Sequence, residues 1–261
     1  MTVQALSDVA REAAAAGAGV IRERLAARSG FGVDTKSAGH DLVTDVDRAS
    51  EAAVLGVIRR RRPDDAVLGE ETGEHPGTTG VRWLVDPLDG TTNFVHGRID
   101  FAVAVAAQVE GQVVAAAIHR PMDDEWLVGG TAGISASSGE PSCSSTTELK
   151  DALIGIGFPY DLQLRVHAHA RIGELIPRIR DFRRSGSAAC DFLAIATGRL
   201  DAFVGFGLAE WDYAAGRALV PAAGGVWHDF VGVGGKPSVI AGAKDVVIQL
   251  RTQLGSVSGP V

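Results

Sequence analysis

The chain has 261 residues, enough for one large domain or two closely packed halves around a substantial apolar core. Its formal net charge of −7 argues against nucleic acid or an anionic membrane as a primary partner. The sequence has no basic start followed by an apolar stretch and no run apolar enough to span a bilayer. Cys143 and Cys190 lie far apart with no ligand-type spacing, so reduced thiols in a cytoplasm are expected.

In chain order, residues 4–27 are Ala-rich, with Val9, Ala13, Ala16, Val20 and Leu25 near one face, and predict an amphipathic helix. A second helix is predicted over 45–61. Thr44 is a good N-cap for it, and Asp45 and Asp47 fall in the first turn, where the helix dipole favours acids. The arginines from Arg59 to Arg62 read as a solvated helix end, and Pro63 stops the helix. Short strands are predicted at 67–68 and 81–85, a hairpin at 101–109 and 112–118, and a further strand at 126–128. The stretch 129–147 is rich in Gly, Ser and Thr and reads as a mobile loop or an internal boundary. Beyond it come a strand at 152–157, a helix at 166–176, a short helix at 188–197 capped by Ser187 and a strand at 201–206. A helix at 212–223, strands at 226–229 and 238–241, and a helix at 244–254 follow. Strands and helices cluster without a regular βαβ rhythm, which predicts a layered α+β fold. Two units are expected: residues 1–140 with most of the chemistry, and an α/β half over 141–261.

The densest signal is Trp83-Leu84-Val85-Asp86-Pro87-Leu88-Asp89-Gly90-Thr91-Thr92. An apolar strand delivers two carboxylates, three residues apart, into a turn favoured by Pro87 and Gly90. At contact they would repel by about 4 kcal/mol with an effective dielectric near 20. If they share a pocket they call for a hard cation, and oxygen ligands suit Mg²⁺. The backbone N–H groups and hydroxyls of Gly90, Thr91 and Thr92 could then hold a phosphate. A solvated Asx turn is the plain alternative.

Other clusters admit the same two readings. Glu70 and Glu71 follow a strand whose end should lie near Asp86, or they are simply a solvated acidic pair. Asp47 either completes a cap or faces the pocket and orients a water. Asp212, in Trp211-Asp212-Tyr213-Ala214-Ala215-Gly216, caps a helix or lends a ligand from the second half. Gly186-Ser187-Ala188 opens a helix whose N-terminus is either ordinary or aimed at an anion. Lys36 is a surface lysine or a phosphate contact. The histidines show no cluster, and no Ser-His-Asp or Cys-His arrangement is apparent.

Taken in order, residues 41–47, Gly69-Glu70-Glu71, Asp86 to Phe94 and Trp211 to Gly216 resemble the inositol monophosphatase family over most of the chain, from about Lys36 to about Ala241. The resemblance implies an alternating αβαβα layered sandwich, a homodimer, and lithium-sensitive, Mg²⁺-dependent hydrolysis of small phosphate monoesters by in-line attack of an activated water. It assigns a first metal to Glu70, Asp86 and the carbonyl of Leu88, and a second to Asp86, Asp89 and Asp212. A third, weaker ion would use Glu70. Thr91, bonded to Asp47, would orient the water, while Gly90, Thr91 and Thr92, with Gly186, Ser187, Ala188 and Lys36, would contact the substrate.

Two departures stand out. Gly205 occupies the position where inositol-selective relatives carry a polyol-binding Glu, with Glu210 as a candidate substitute. Residues 129–142 lack a recognisable form of the family's hairpin. The expected substrate is inositol monophosphate or a related polyol or sugar phosphate. Histidinol phosphate and an aminocyclitol or nucleotide intermediate are rivals, and a regulatory binding protein retaining the fold is the rival from another class.

Overall fold

The structure is a computed structural model that describes residues 2–27, 32–35 and 42–255. Lys36 and Asp41, the first residue of the 41–47 stretch, lie outside the described residues. In chain order the first half comprises α1 (Val3–Ala26), β1 (Val33–Thr35), β2 (Leu42–Thr44), α2 (Asp45–Arg61), β3 (Ala66–Gly69), β4 (Gly73–His75), β5 (Val81–Asp89), α3 (Thr91–Val95), β6 (Ala102–Val109), β7 (Gln112–Arg120), β8 (Glu125–Gly130) and β9 (Gly133–Ala136). The second comprises β10 (Leu153–Gly157), α4 (Leu162–Gly173), β11 (Asp181–Arg183), α5 (Ala188–Ala196), β12 (Ala202–Phe206), α6 (Glu210–Ala222), β13 (Val226–Val231), β14 (Pro237–Gly242) and α7 (Lys244–Gly255).

A seven-stranded sheet runs β4-β3-β5-β6-β7-β8-β9, and a five-stranded sheet runs β11-β10-β12-β14-β13. The side-chain period of two divides the apolar strands between layers. Trp83 and Val85 of β5 and Val103 and Val105 of β6 pack with Ala10, Ala13, Val54 and Ile58 of α1 and α2. Leu84, Ala104 and Ala106, on the opposite face, pack with Phe192 and Leu193 of α5 and Leu219 of α6. Phe203, Val239 and Ala241 of the second sheet close that same cluster from the other side. The far face of the second sheet, Ile154, Val204 and Ile240, is covered by Ile172 of α4 and Val246 and Leu250 of α7. The layers are therefore α1/α2, sheet, α5/α6, sheet, α4/α7. Strands buried on both faces explain why 101–118 reads as nearly continuous apolar sequence. The middle core draws on residues from both sides of position 140.

Several expectations change. The stretch 129–147 is not one loop: β9 pairs antiparallel with β8, Val128 against Ser135 and Gly130 against Gly133. Its small polar residues disguised a hairpin, because an edge strand needs few apolar contacts. A crossover rhythm does exist in the second half, where β10 runs parallel to both β11 and β12. The fourth helix starts earlier than its apolar residues suggest, because Asp161 caps it by accepting the Leu164 N–H at 2.9 Å. The arginine run is tied down in part by ion pairs from Arg60 and Arg61 to Glu12 of α1. Both cysteines are free. Among the described residues, no helix is long and apolar enough to cross a membrane.

One buried anchor fixes the start of β5 away from any chemistry. Asp65 is 6% exposed and accepts from Arg62 Nε and Nη2 at 2.8 and 2.9 Å, Thr79 Oγ1 at 2.5 Å and Trp83 Nε1 at 2.9 Å. Burial pushes its carboxyl up, but the bonds from Arg62, Thr79 and Trp83 outweigh that and hold it below the usual carboxylate range. A depressed acid stabilises the fold above its unfolded value, near 3.9, and loses that contribution as pH falls through the folded value. Asp65→Asn is expected to cost about 2 kcal/mol at neutral pH and less below pH about 4. Urea unfolding at both pH values, read by Trp fluorescence, checks this.

Candidate active site

The site begins with an irregularity in β5. Asp86 pairs with Ala104 of β6 and Asp89 with Ala102, so three steps on β5 match two on its neighbour. In a regular strand, residues three apart point to opposite faces. The extra residue at Pro87-Leu88 is a bulge, and it brings both aspartates to the same side. The bulge is held by an Asx turn, with the Leu88 N–H donating to Asp86 Oδ1 at 3.1 Å, and by Ser50 Oγ, which donates to the Pro87 carbonyl at 2.8 Å. Gly90 follows with φ of 103°, where a Cβ would sit 2.8 Å from the Asp100 carbonyl, so both conformation and space demand glycine. The chain then turns into the short helix α3.

Helix α2 presents Asp47, Ser50 and Glu51, spaced i, i+3 and i+4, toward this turn. Asp47 completes the Thr44 cap by accepting the Thr44 N–H at 2.8 Å on Oδ2. Its other oxygen accepts from Thr91 Oγ1 at 2.7 Å. Capping and site contact are thus the two ends of one carboxylate. Thr91 Oγ1 also lies 3.1 Å from the Leu88 carbonyl oxygen. Burial raises the Asp47 carboxyl, and the bonds from Thr44 and Thr91 partly offset that. Glu51, fully buried, accepts the N–H groups of Glu71 and Thr72 at 2.8 and 2.9 Å, and so fixes the turn that carries Glu70. The Glu70 N–H donates to the Val85 carbonyl at 3.1 Å, which places that residue beside the end of β5.

The second half supplies the remaining wall. Asp212 is the third residue of α6, not its cap, and accepts the Ala209 N–H at 2.8 Å. Asp89 accepts from Ser187 Oγ at 2.7 Å and from the Ala189 N–H at 2.6 Å. The start of α5 therefore grips a carboxylate of β5, while Ser187 Oγ accepts the Cys190 N–H at 3.1 Å as an N-cap. Gly186, Ser187 and Ala188 border the same cavity as Asp89 and Asp212. Thr92 is exposed on α3. Glu210 is turned to Arg82, at 2.8 Å.

The electrostatics show how these acids share space. Burial raises Asp86 well above its ordinary value, and the charges of Glu70, Asp89 and Asp212 and a hydrogen bond with Glu70 push it further. Burial likewise pushes Asp89 up to about 6, against the pull of the Ala189 N–H, Ser187 and Arg184. Among the described residues no three such side chains already surround one point as ligands; each is held by the local partners just named. The donor set still fits a hard divalent cation. It is all oxygen, partly buried, and carries an excess of negative charge that raises its own proton affinity.

Sequence reading missed Ser50, Glu51 and Asn93. The first two were discoverable from their i+3 and i+4 spacing after Asp47. Asn93 had no local signal: its Nδ2 donates to the Asp100 carbonyl at 2.6 Å and to the Ser185 carbonyl, across the halves, at 2.8 Å.

Comparison with known proteins places this geometry in context. A profile of the inositol monophosphatase family matches residues 2–255. The Nus factor SuhB of Salmonella typhimurium is 38% identical over 234 residues, covering 84% of this chain and 86% of that protein. The structure of extragenic suppressor protein suhB from Bartonella henselae superposes with a TM-score of 0.88 at 30% identity, covering 97% of this chain and 99% of that one. The inositol monophosphatase from Anabaena superposes with a TM-score of 0.83 at 31% identity, covering 98% of each chain.

Raised acids have a measurable consequence. Between the unfolded value near 4 and the folded value of about 6, the native state holds a proton at Asp89 that the unfolded chain has lost. Stability of the EDTA-treated protein at this site is therefore greatest below pH about 4 and falls as pH rises through 6. Added Mg²⁺ is expected to raise Tm most above that window. Asp89→Asn is expected to raise Tm of the EDTA-treated protein at pH 7 and to shrink the Mg²⁺ increment. Thermal melts across pH, with EDTA and with excess Mg²⁺, read both.

Proposed function

The chain belongs to the inositol monophosphatase family, and on that premise we propose that it hydrolyses a small phosphate monoester in a divalent-cation-dependent reaction. The observation that carries this reading is that Asp89 and Asp212 border one cavity and that buried Asp86 lies within reach of the charges of Glu70, Asp89 and Asp212, next to the hydroxyl–carboxylate pair Thr91–Asp47. Glu70, Asp86 and the Leu88 carbonyl would hold one Mg²⁺, and Asp86, Asp89 and Asp212 a second. Bound there, such ions supply Lewis acidity and charge neutralisation to a phosphoryl group.

The chain's own groups do the rest. The Thr91 hydroxyl donates its hydrogen bond to Asp47, which leaves its oxygen lone pairs able to accept a hydrogen bond from a water and fix that water's direction of approach. Asp47 is locked by the Thr44 cap, so the Thr91 hydroxyl cannot rotate freely. The first N–H groups of α3, at Gly90 and Thr91, lack helical partners and suit phosphate oxygens. The start of α5 holds Asp89 in place and borders the substrate cavity. The names of the relatives support inositol monophosphate as the reference ester.

A second reading has its own support. Curated relatives bear the name Nus factor SuhB, which favours a regulatory role through a macromolecular partner and leaves room for one associated with nucleic acid, despite the acidic surface. The two readings separate on one variant. Asp89→Asn is expected to abolish Mg²⁺-dependent phosphate release without loss of fold. If that inactive variant restores the phenotype of a deletion strain, the regulatory reading holds. Thr91→Ala is expected to lower kcat by about 10²–10³ with a smaller change in KM, as befits a group that aims the nucleophile. Phosphate release with and without Mg²⁺, alongside circular dichroism, checks both variants.

A further inference from the structure

Arg82 binds an acid on each side of β5. It stands four residues before Asp86, and the strand period turns Arg82, Leu84 and Asp86 to one face, where Leu84 packs against α5 and α6. Its guanidinium grips Glu74 with two bonds, Nε to Oε1 at 3.2 Å and Nη2 to Oε2 at 3.1 Å. The remaining nitrogen, Nη1, donates to Glu210 Oε1 at 2.8 Å, across 128 residues of chain.

Both partners sit close in sequence to a proposed cation ligand. Glu74 lies on β4, paired with Leu68 of β3, and the turn between those strands carries Glu70. Glu210 is the first residue of α6, two before Asp212. One guanidinium therefore joins three carriers: β5 with Asp86 and Asp89, the β3–β4 turn with Glu70, and the first turn of α6 with Asp212.

The start of α6 needs such a fixture. Ala209 stands at its N-cap position and offers no side-chain acceptor for the first free N–H groups. A first turn without that bond frays more readily, and Asp212 belongs to it. The bond from the Ala209 N–H to Asp212 shapes the turn from within. The Arg82–Glu210 pair ties the turn to the first sheet. With Glu210 35% and Glu74 55% exposed, these pairs add little to overall stability, so their effect falls on geometry. We infer that Arg82 is a positioning residue for divalent-cation binding, holding Glu70 and Asp212 in place relative to Asp86 through Glu74 and Glu210. This rests on the cation-dependent reading above and adds to it a residue outside the ligand set.

Calorimetric titration with Mg²⁺, without substrate, of protein stripped with EDTA and dialysed tests this. Arg82→Met and Glu210→Gln are each expected to raise the Mg²⁺ dissociation constant about tenfold. Tm of the stripped protein is expected to move by about 3 °C or less. The double variant is expected to bind no more weakly than the weaker single variant, because either change breaks the same link. The signs separate positioning from plain charge. Were the effect only Coulombic, loss of the Arg82 cation would tighten Mg²⁺ binding and loss of the Glu210 anion would weaken it. Arg82→Lys keeps the charge without the three-way bridge; it is expected to weaken binding too, and serves if Arg82→Met does not fold. Shifts of opposite sign, additive losses in the double variant, or unchanged constants in the single variants overturn the inference and leave the hydrolase reading standing. Absence of Mg²⁺ binding in the unaltered protein, together with no Mg²⁺-dependent phosphate release, removes that reading and this inference together.

Discussion

Burial of one carboxylate, Asp86, beside three others is the constraint around which this molecule is arranged. Asp86 sits in the interior at the end of β5, and burial first, then the charges of Glu70, Asp89 and Asp212, raise its proton affinity. Such a group would spread apart if its backbone were free. Each acid is therefore held from behind by a different device. A bulge and an Asx turn hold Asp86, the first turn of α5 holds Asp89, and the buried Glu51 fixes the turn bearing Glu70. Asp212 is fixed by reaching back to the N–H before its own helix. Each of these fixings is a backbone hydrogen bond, and backbone is what a folded layer structure makes rigid.

The layers supply that rigidity. Both sheets turn apolar faces to the α5/α6 layer, so Phe192 and Leu219 are packed from two sides. The helix start that grips Asp89 belongs to a helix that cannot shift without opening that core. The Thr91–Asp47 pair is anchored in the same way: Asp47 is part of the cap of α2, and α2 packs on the opposite face of the first sheet.

Much of this was legible in the sequence. The boundaries of α1 and α2, the strands at β5, β6 and β7 and the capped α5 follow from apolar period and N-cap chemistry. Asp86 and Asp89 stand out as paired acids in a turn and Glu70 as an acid at a strand end, each with a solvated alternative, whereas their grouping with Asp212 comes from the family resemblance. What was not legible came from contacts distant in the chain. Nothing near Asn93 announces that it will bridge to Ser185, because the partner is a backbone carbonyl 92 residues away. The β8–β9 hairpin hid in a Gly- and Ser-rich stretch because edge strands carry little apolar signal. Gly205 can be seen in the sequence as a missing carboxylate, but the packing of Phe203 and Leu208 against it, 2.6 Å from where a Cβ would sit, depends on the fold.

The grip of α5 on Asp89 also bears on the order in which this protein comes to life. Asp89 waits on a hydroxyl and an N–H that lie about a hundred residues downstream. During synthesis the amino-terminal layers can emerge and collapse with their acids in place, yet the pocket has no back wall until residues near 189 and then 212 have left the ribosome. On the proposed function, cation capture would be deferred to the closing stage of maturation, and a chain cut short would adopt much of the architecture and still be chemically silent.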